Sequence, residues 1–284
     1  MTDTAQAQDG RRDKVFKAFK YTVYFLLFVN IFFWLREDYL ASAHLFPNGV
    51  GWDQLTVAFS QATDMIAWVI LLFMFELETA VISDERLNRG WKWVINGVAG
   101  VCYFFVIMAF LGYVEKFKFV FGFDASALMD ACAGVGQYAS YAIRLDEYAT
   151  LTAANCSTLI GPLFSHESMG FVATSDVYAS MQWLAVAEVL NAGTWILIVL
   201  LLWADVFIQL RGMEHGRLHR INIAAKFILY SVLFVICIYW GFEGDFLDFW
   251  DAFLWITAFF VIELNIFKWS EEIEAEHAAK AHAS

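Results

Sequence analysis

Apolar residues in this chain gather into six long runs with few charges inside them, at roughly 17–35, 60–82, 94–114, 183–210, 221–242 and 250–268. Runs of about 20 apolar residues are read as helices that cross a bilayer. The runs do not alternate apolar with polar as barrel strands would, and a lipid-exposed span must satisfy its own backbone hydrogen bonds. The pattern predicts an all-α integral membrane protein with six transmembrane helices.

Three of the runs share one spacing. Asp64, Trp68 and Glu78 stand at i, i+4 and i+14; Asn191, Trp195 and Asp205 repeat it, and so do Asp251, Trp255 and Asn265. At ~100° per residue all three positions fall on one helical stripe. A second echo joins the first and fifth runs. Lys20-Tyr21-x-x-Tyr24-x-x-Leu27-Phe28-Val29 leads on to Trp34, and Lys226-Phe227-x-x-Tyr230-x-x-Leu233-Phe234-Val235 leads on to Trp240. The two echoes predict repeated helical hairpins. The third run does not match clearly, so no strict threefold symmetry is expected.

The intervening segments set the expected boundaries: a cytosolic tail over 1–14, helices 1–3 within 15–114 with an external loop at 36–59, an external segment over 115–180, helices 4–6 within 181–268 and a cytosolic helical tail over 269–284. The external segment is rich in Ala, Ser, Thr and Tyr and is expected to be small and α-rich, with Asp124 capping a helix that runs through Ala131. At this size it needs support from the bundle or a partner.

Composition agrees with a membrane class: 60% of the residues are hydrophobic, 18% are aromatic, and the 284-residue chain has two prolines. Of 18 basic residues, 14 fall in the N-terminal tail, the second and fourth loops with their helix entries, and the C-terminal end. The other four are Arg36, Lys116, Lys118 and Arg144. Basic loops stay in the cytosol. The expected placement is therefore multi-pass in the cell inner membrane with both termini cytosolic. The external segments are then acidic, which concentrates cations and repels nucleic acid. Cys132 and Cys156 share the external segment, where a disulfide can form and persist; Cys102 and Cys237 read as packing residues inside helices.

The polar residues inside the runs are the candidate chemistry. Asp64, Asn191 and Asp251 would form an outer entrance, with Trp68, Trp195 and Trp255 as interface anchors one turn further in. Glu76, Glu78, Asp205, Lys226, Glu263 and Asn265 would form a layer near the cytosolic boundary. Two readings of that layer stay open. It is a polar clasp between helices, with Lys226 paired to Asp205 or Glu78, or it is a carboxylate path for cations.

No motif names a reaction. There is no phosphate-binding glycine loop, no CxxC pair and no histidine within a predicted span; His215 and His219 stand among Arg211, Arg217 and Arg220, which would repel a metal. Neither an enzyme nor a cofactor is expected. The functional expectation is a protein that conducts cations (or protons), or is associated with their transport. The competing class is a non-conducting scaffold or assembly subunit. Candidate partners are the lipid bilayer, a monovalent cation or proton, a second copy of the chain, or a partner membrane subunit.

Overall fold

A computed structural model of the chain describes residues 2–46, 48–78, 89–126, 128, 130–165, 170–210 and 216–261. The fold is mostly helical. Its helices are α1 (Thr2–Leu45), the short α2 (Leu55–Ala58), α3 (Ser60–Glu76), α4 (Arg89–Val120), α5 (Ser175–Leu210), α6 (Arg217–Glu243) and α7 (246–261). Among the described residues, four segments are long and apolar enough to cross a membrane: Lys14–Leu45, Gly90–Val120, Ser175–Asp205 and Arg217–Glu243. The first helix continues to Leu45, well past the expected end near residue 35.

Large apolar side chains point outward along these helices: Phe25, Phe28 and Phe32 on α1, Phe104 and Phe105 on α4, Leu200 and Trp203 on α5, and Phe227 and Phe234 on α6. A soluble monomer rarely carries so much contiguous apolar surface. Lipid would cover it without cost. The bundle interior is equally apolar, with Leu27, Val69, Leu72, Ile198, Leu233, Leu254 and Ala258 almost fully enclosed. Helices approach closely where a side chain is missing. A Cβ on Gly112 of α4 would collide with the Thr56 carbonyl oxygen and press on Ser60, so α2 and the start of α3 lie directly against α4.

The segment between α4 and α5 corrects the α-rich expectation. It is a five-stranded sheet of β1 (Asp124–Ala125), β2 (Ser140–Arg144), β3 (Glu147–Thr150), β4 (Leu163–Ser165) and β5 (Phe171–Thr174), in the order β1-β4-β5-β2-β3. β2 and β5 run parallel; the other neighbours are antiparallel. The alanines that suggest helix sit between aromatic and β-branched residues, as in Tyr141-Ala142-Ile143 and Phe171-Val172-Ala173-Thr174. Such residues fit a pleated, half-buried surface. Asp124 belongs to β1, opposite Ser165, and caps no helix. The capping role falls to Asp130, whose carboxylate accepts the Cys132 N–H at a short 3-10 turn, Ala131–Gly134.

Cys132 and Cys156 form a disulfide with Cα atoms 4.9 Å apart. It staples a small cluster of Ala131, Leu151, Leu163 and Val172. The sheet rests on the bundle through Phe123, Phe171 and Tyr178, which pack with Val120, Met181 and Trp240. Phe123 stacks on Tyr178 at 5.5 Å, and Tyr178 stacks on Phe164 at 4.6 Å.

Candidate functional site

The sheet is tied to the bundle by charge as well as by packing. Arg144 and Glu147 close the β2–β3 hairpin, and Asp146 at its turn has φ of 65°. Few side chains other than glycine tolerate this left-handed region, and aspartate is among the more tolerant. The turn sends Asp146 down onto Lys116 near the end of α4, with Nζ 2.6 Å from the carboxylate. Lys116 also lies 2.9 Å from Glu188 of α5. Gln61 of α3 donates its amide N–H groups to Glu188 at 3.3 Å and to Asp146 at 3.5 Å. One buried ammonium thus faces two buried carboxylates, and the amide joins them.

Above this network lies a cavity of about 890 Å³ between the sheet and the ends of α1, α5, α6 and α7. Its walls carry Glu37, Asp146, Glu147, Glu188, Asp245 and Asp248 against Arg36 and Arg144, with Phe33, Tyr148, Trp240, Phe246 and Trp250 between them. Asp245 and Asp248 cap the start of α7 reciprocally. The Asp248 N–H donates to the Asp245 carboxylate at 2.8 Å, and the Asp245 N–H donates to that of Asp248 at 3.2 Å. Burial raises the Tyr148 hydroxyl far above its usual range, with Asp146 adding to the effect.

A second, small cavity of about 60 Å³ continues inward and shares Gln61, Glu188, Trp240 and Asp248 with the first. Its lining includes Asp64, Asn191 and Asp251 together with Trp68, Trp195 and Trp255. The three stripes on α3, α5 and α7 therefore meet at one place. Three residues earlier on each helix stand Gln61, Glu188 and Asp248, and these also line it. The funnel has three tiers, each made from equivalent positions: Gln61, Glu188 and Asp248; then Asp64, Asn191 and Asp251; then the tryptophans.

Other helices complete the wall. Asn30 of α1 donates to Asp251 at 2.9 Å, and Asp38 accepts the Ala62 N–H at 2.8 Å. An aspartate from one helix thereby satisfies a first-turn donor of another, where the exposed N–H groups and the helix dipole favour negative charge. Trp34 and Trp240, the matched tryptophans of α1 and α6, both line the small cavity.

Trp68, Trp195 and Trp255 correct the expectation of interface anchors. They are 8%, 7% and 7% exposed and turned inward. Trp68 meets Trp255 edge-on at 6.4 Å, and Trp195 lies 4.5 Å from Phe259. The Trp255 indole N–H donates to the Met65 sulfur at 3.3 Å. The physical reason is the stripe itself: a residue four positions from an inward-facing acid faces inward too. One turn further along lie Leu72, Ile198 and Ala258, with Leu27 of α1 among them, so apolar packing closes the funnel floor.

The expected deep layer lies beyond that floor, with Glu76 about 18 Å from Asp64 along α3 at ~1.5 Å per residue. It forms two separate pairs. Lys20 lies 2.6 Å from Glu76, and the Tyr21 hydroxyl donates to the same carboxylate at 2.9 Å. Lys226 lies 2.7 Å from Asp205, which also accepts from the Asn222 amide. Glu78 is exposed. Glu263 and Asn265 lie outside the described residues. Lys20 and Lys226 occupy matched positions of the second sequence echo.

Sequence reasoning did not single out Lys20, Gln61, Lys116, Asp146 or Glu188 as site residues. A signal for two of them was present, since Gln61 and Glu188 precede Asp64 and Asn191 by the same three residues. Nothing local in the sequence marks Asp146, because a chain reversal in the sheet brings it to Lys116. Among the described residues, no three His, Cys, Asp or Glu side chains converge to hold a metal ion. Set against family models, curated proteins and solved structures, the chain matches none.

Proposed function

We propose that this chain is a six-span protein of the cell inner membrane, with both termini cytosolic and the sheet outside, that takes cations into an acidic funnel for transport. In this reading α3 and α7 are spans alongside the four longer helices, and the α3, α5 and α7 tiers descend from repeated hairpins. The supporting observation is the convergence of Gln61, Glu188 and Asp248, and then of Asp64, Asn191 and Asp251, on one tapering pair of cavities. Carboxylate rings with low-dielectric walls draw cations inward and exclude anions. The apolar floor makes this a closed conformation, and Lys20–Glu76 and Lys226–Asp205 act as clasps holding the far end together.

A non-conducting scaffold is the second reading, and the packed floor favours it. There the sheet is the surface offered to a partner subunit or a second copy, and the buried charges serve cohesion alone. Flux into liposomes under an imposed potential separates the two, using proton, sodium and potassium gradients. Flux that Asp64→Asn with Asp251→Asn reduces at least tenfold, in protein that remains folded, supports the conduit. Flux equal to that of empty liposomes for every ion leaves the scaffold.

A further inference from the structure

The large and the small cavity share four wall residues, Gln61, Glu188, Trp240 and Asp248. These four mark the neck between them. Gln61, Glu188 and Trp240 are 7%, 9% and 7% exposed. A passage wide enough for a hydrated ion would leave them open, so the neck is shut. On the side of α3 and α5 the closure is polar: the Gln61 amide lies against the Glu188 carboxylate. The floor below is closed by apolar packing, which no ion can replace. A donor on a carboxylate is different, because a cation can take its place.

The bonds at the neck are unequal. Lys116 holds Asp146 at 2.6 Å and Glu188 at 2.9 Å, as short as charge-assisted bonds become. Gln61 reaches the same two carboxylates at 3.5 and 3.3 Å, beyond the usual range of about 2.7–3.2 Å. The ammonium therefore fixes the two carboxylates, and the amide is the weaker, exchangeable member. Half of its hold comes from the sheet, since Asp146 sits at the β2–β3 turn while Glu188 and Lys116 belong to the bundle. Charge favours exchange as well. Two carboxylates share one ammonium, and Asp248 faces the neck with no ion-pair partner among the described residues. A cation beside Glu188 offers a full charge where the amide offers a dipole.

We propose that the Gln61 side chain is a gate between the two cavities. It is closed on Glu188, latched to the sheet through Asp146, and opened when a cation takes its place beside Glu188. The ion opens its own path because it binds the open arrangement better than the closed one. The proposal rests on the cation reading above for what passes, and adds the contact that controls passage.

The test is the reaction of single cysteines with silver ion, a monovalent cation that binds thiolate. It is added to the sheet side of membrane vesicles holding the full chain, in chloride-free buffer, and the unreacted thiol is counted afterwards with a fluorescent maleimide. Ala252→Cys reports the small cavity and Ala41→Cys the large one, each with Cys102 and Cys237 replaced by serine; both alanines are buried wall positions. Natural Cys102, enclosed in the bundle core and kept as the sole free thiol, is the control for general loosening. Ala252→Cys is expected to react at least tenfold more slowly than Ala41→Cys. Gln61→Ala should speed the inner site at least tenfold. Asp146→Asn, which suits the same left-handed turn, should speed it at least threefold. Ala41→Cys and Cys102 should keep their rates in both variants. Equal rates at the two alanine positions without either change, an inner rate that either variant leaves unaltered, or a matching rise at Cys102 overturns the gate. Liposome flux keeps the two ideas apart. A gated inner site in protein that passes no ion supports the gate and overturns conduction. Flux in protein whose inner cysteine reacts freely overturns the gate and leaves the cation conduit standing.

Discussion

Gln61 and Glu188 occupy the same place in the repeated pattern, three residues before Asp64 and Asn191, and meet across the funnel with Nε2 3.3 Å from the carboxylate. Equivalent positions on two helices thus converge on one contact. The third equivalent, Asp248, lines the same two cavities. A sequence spacing that marks one face of each helix becomes a ring when the helices pack.

Lys116 is the counterion of that ring. Its ammonium is enclosed between Asp146 and Glu188. Lys116→Met leaves two buried carboxylates facing each other, and removing one partner of a buried pair costs about 3–5 kcal/mol. The melting temperature of the detergent-purified protein should fall sharply. Adding Asp146→Asn and Glu188→Gln should recover much of the loss, since the excess charge is then gone. No recovery would mean that Lys116 acts through packing alone.

The two far-end pairs should differ in strength. Lys20 and Glu76 are almost fully enclosed, whereas Lys226 and Asp205 keep about a sixth of their side-chain surface open (17% each). Lys20→Met should approach the ~3 kcal/mol loss of a buried pair. Lys226→Met should fall between that and the ~1 kcal/mol of an exposed pair. Thermal denaturation of the two variants orders them, and the reverse order would contradict the burial argument.

The helical class and the grouping of the spaced residues on one stripe of each helix were legible in the sequence because both rest on local periodicity. Asp64, Trp68, Asn191, Trp195, Asp251 and Trp255 needed only the helical repeat to be placed on common faces. Which way those faces turn was not legible. Tryptophan suits a lipid interface as well as an interior, and only packing turned these three inward. The segment between α4 and α5 was misread because its alanines favour helix while tertiary pairing of Tyr141, Phe171 and Val172 favours sheet. Asp146 was out of reach for a different reason: its meeting with Lys116 is set by a hairpin turn and a sheet docked on helices, and neither leaves a spacing in the chain.

The most direct test of the funnel is thiol accessibility at Ala41→Cys, a conservative change at a buried position on the wall of the large cavity, with Cys102 and Cys237 replaced by serine. Rates are read with a cationic and an anionic methanethiosulfonate reagent, each normalised to a small free thiol, on membrane vesicles of known sidedness. The expected result is reaction from the sheet side only, with the cationic reagent at least tenfold faster and that preference reduced by Glu37→Gln with Asp248→Asn. Equal rates for both charges, or reaction from the opposite side, would contradict an acidic funnel open beneath the sheet.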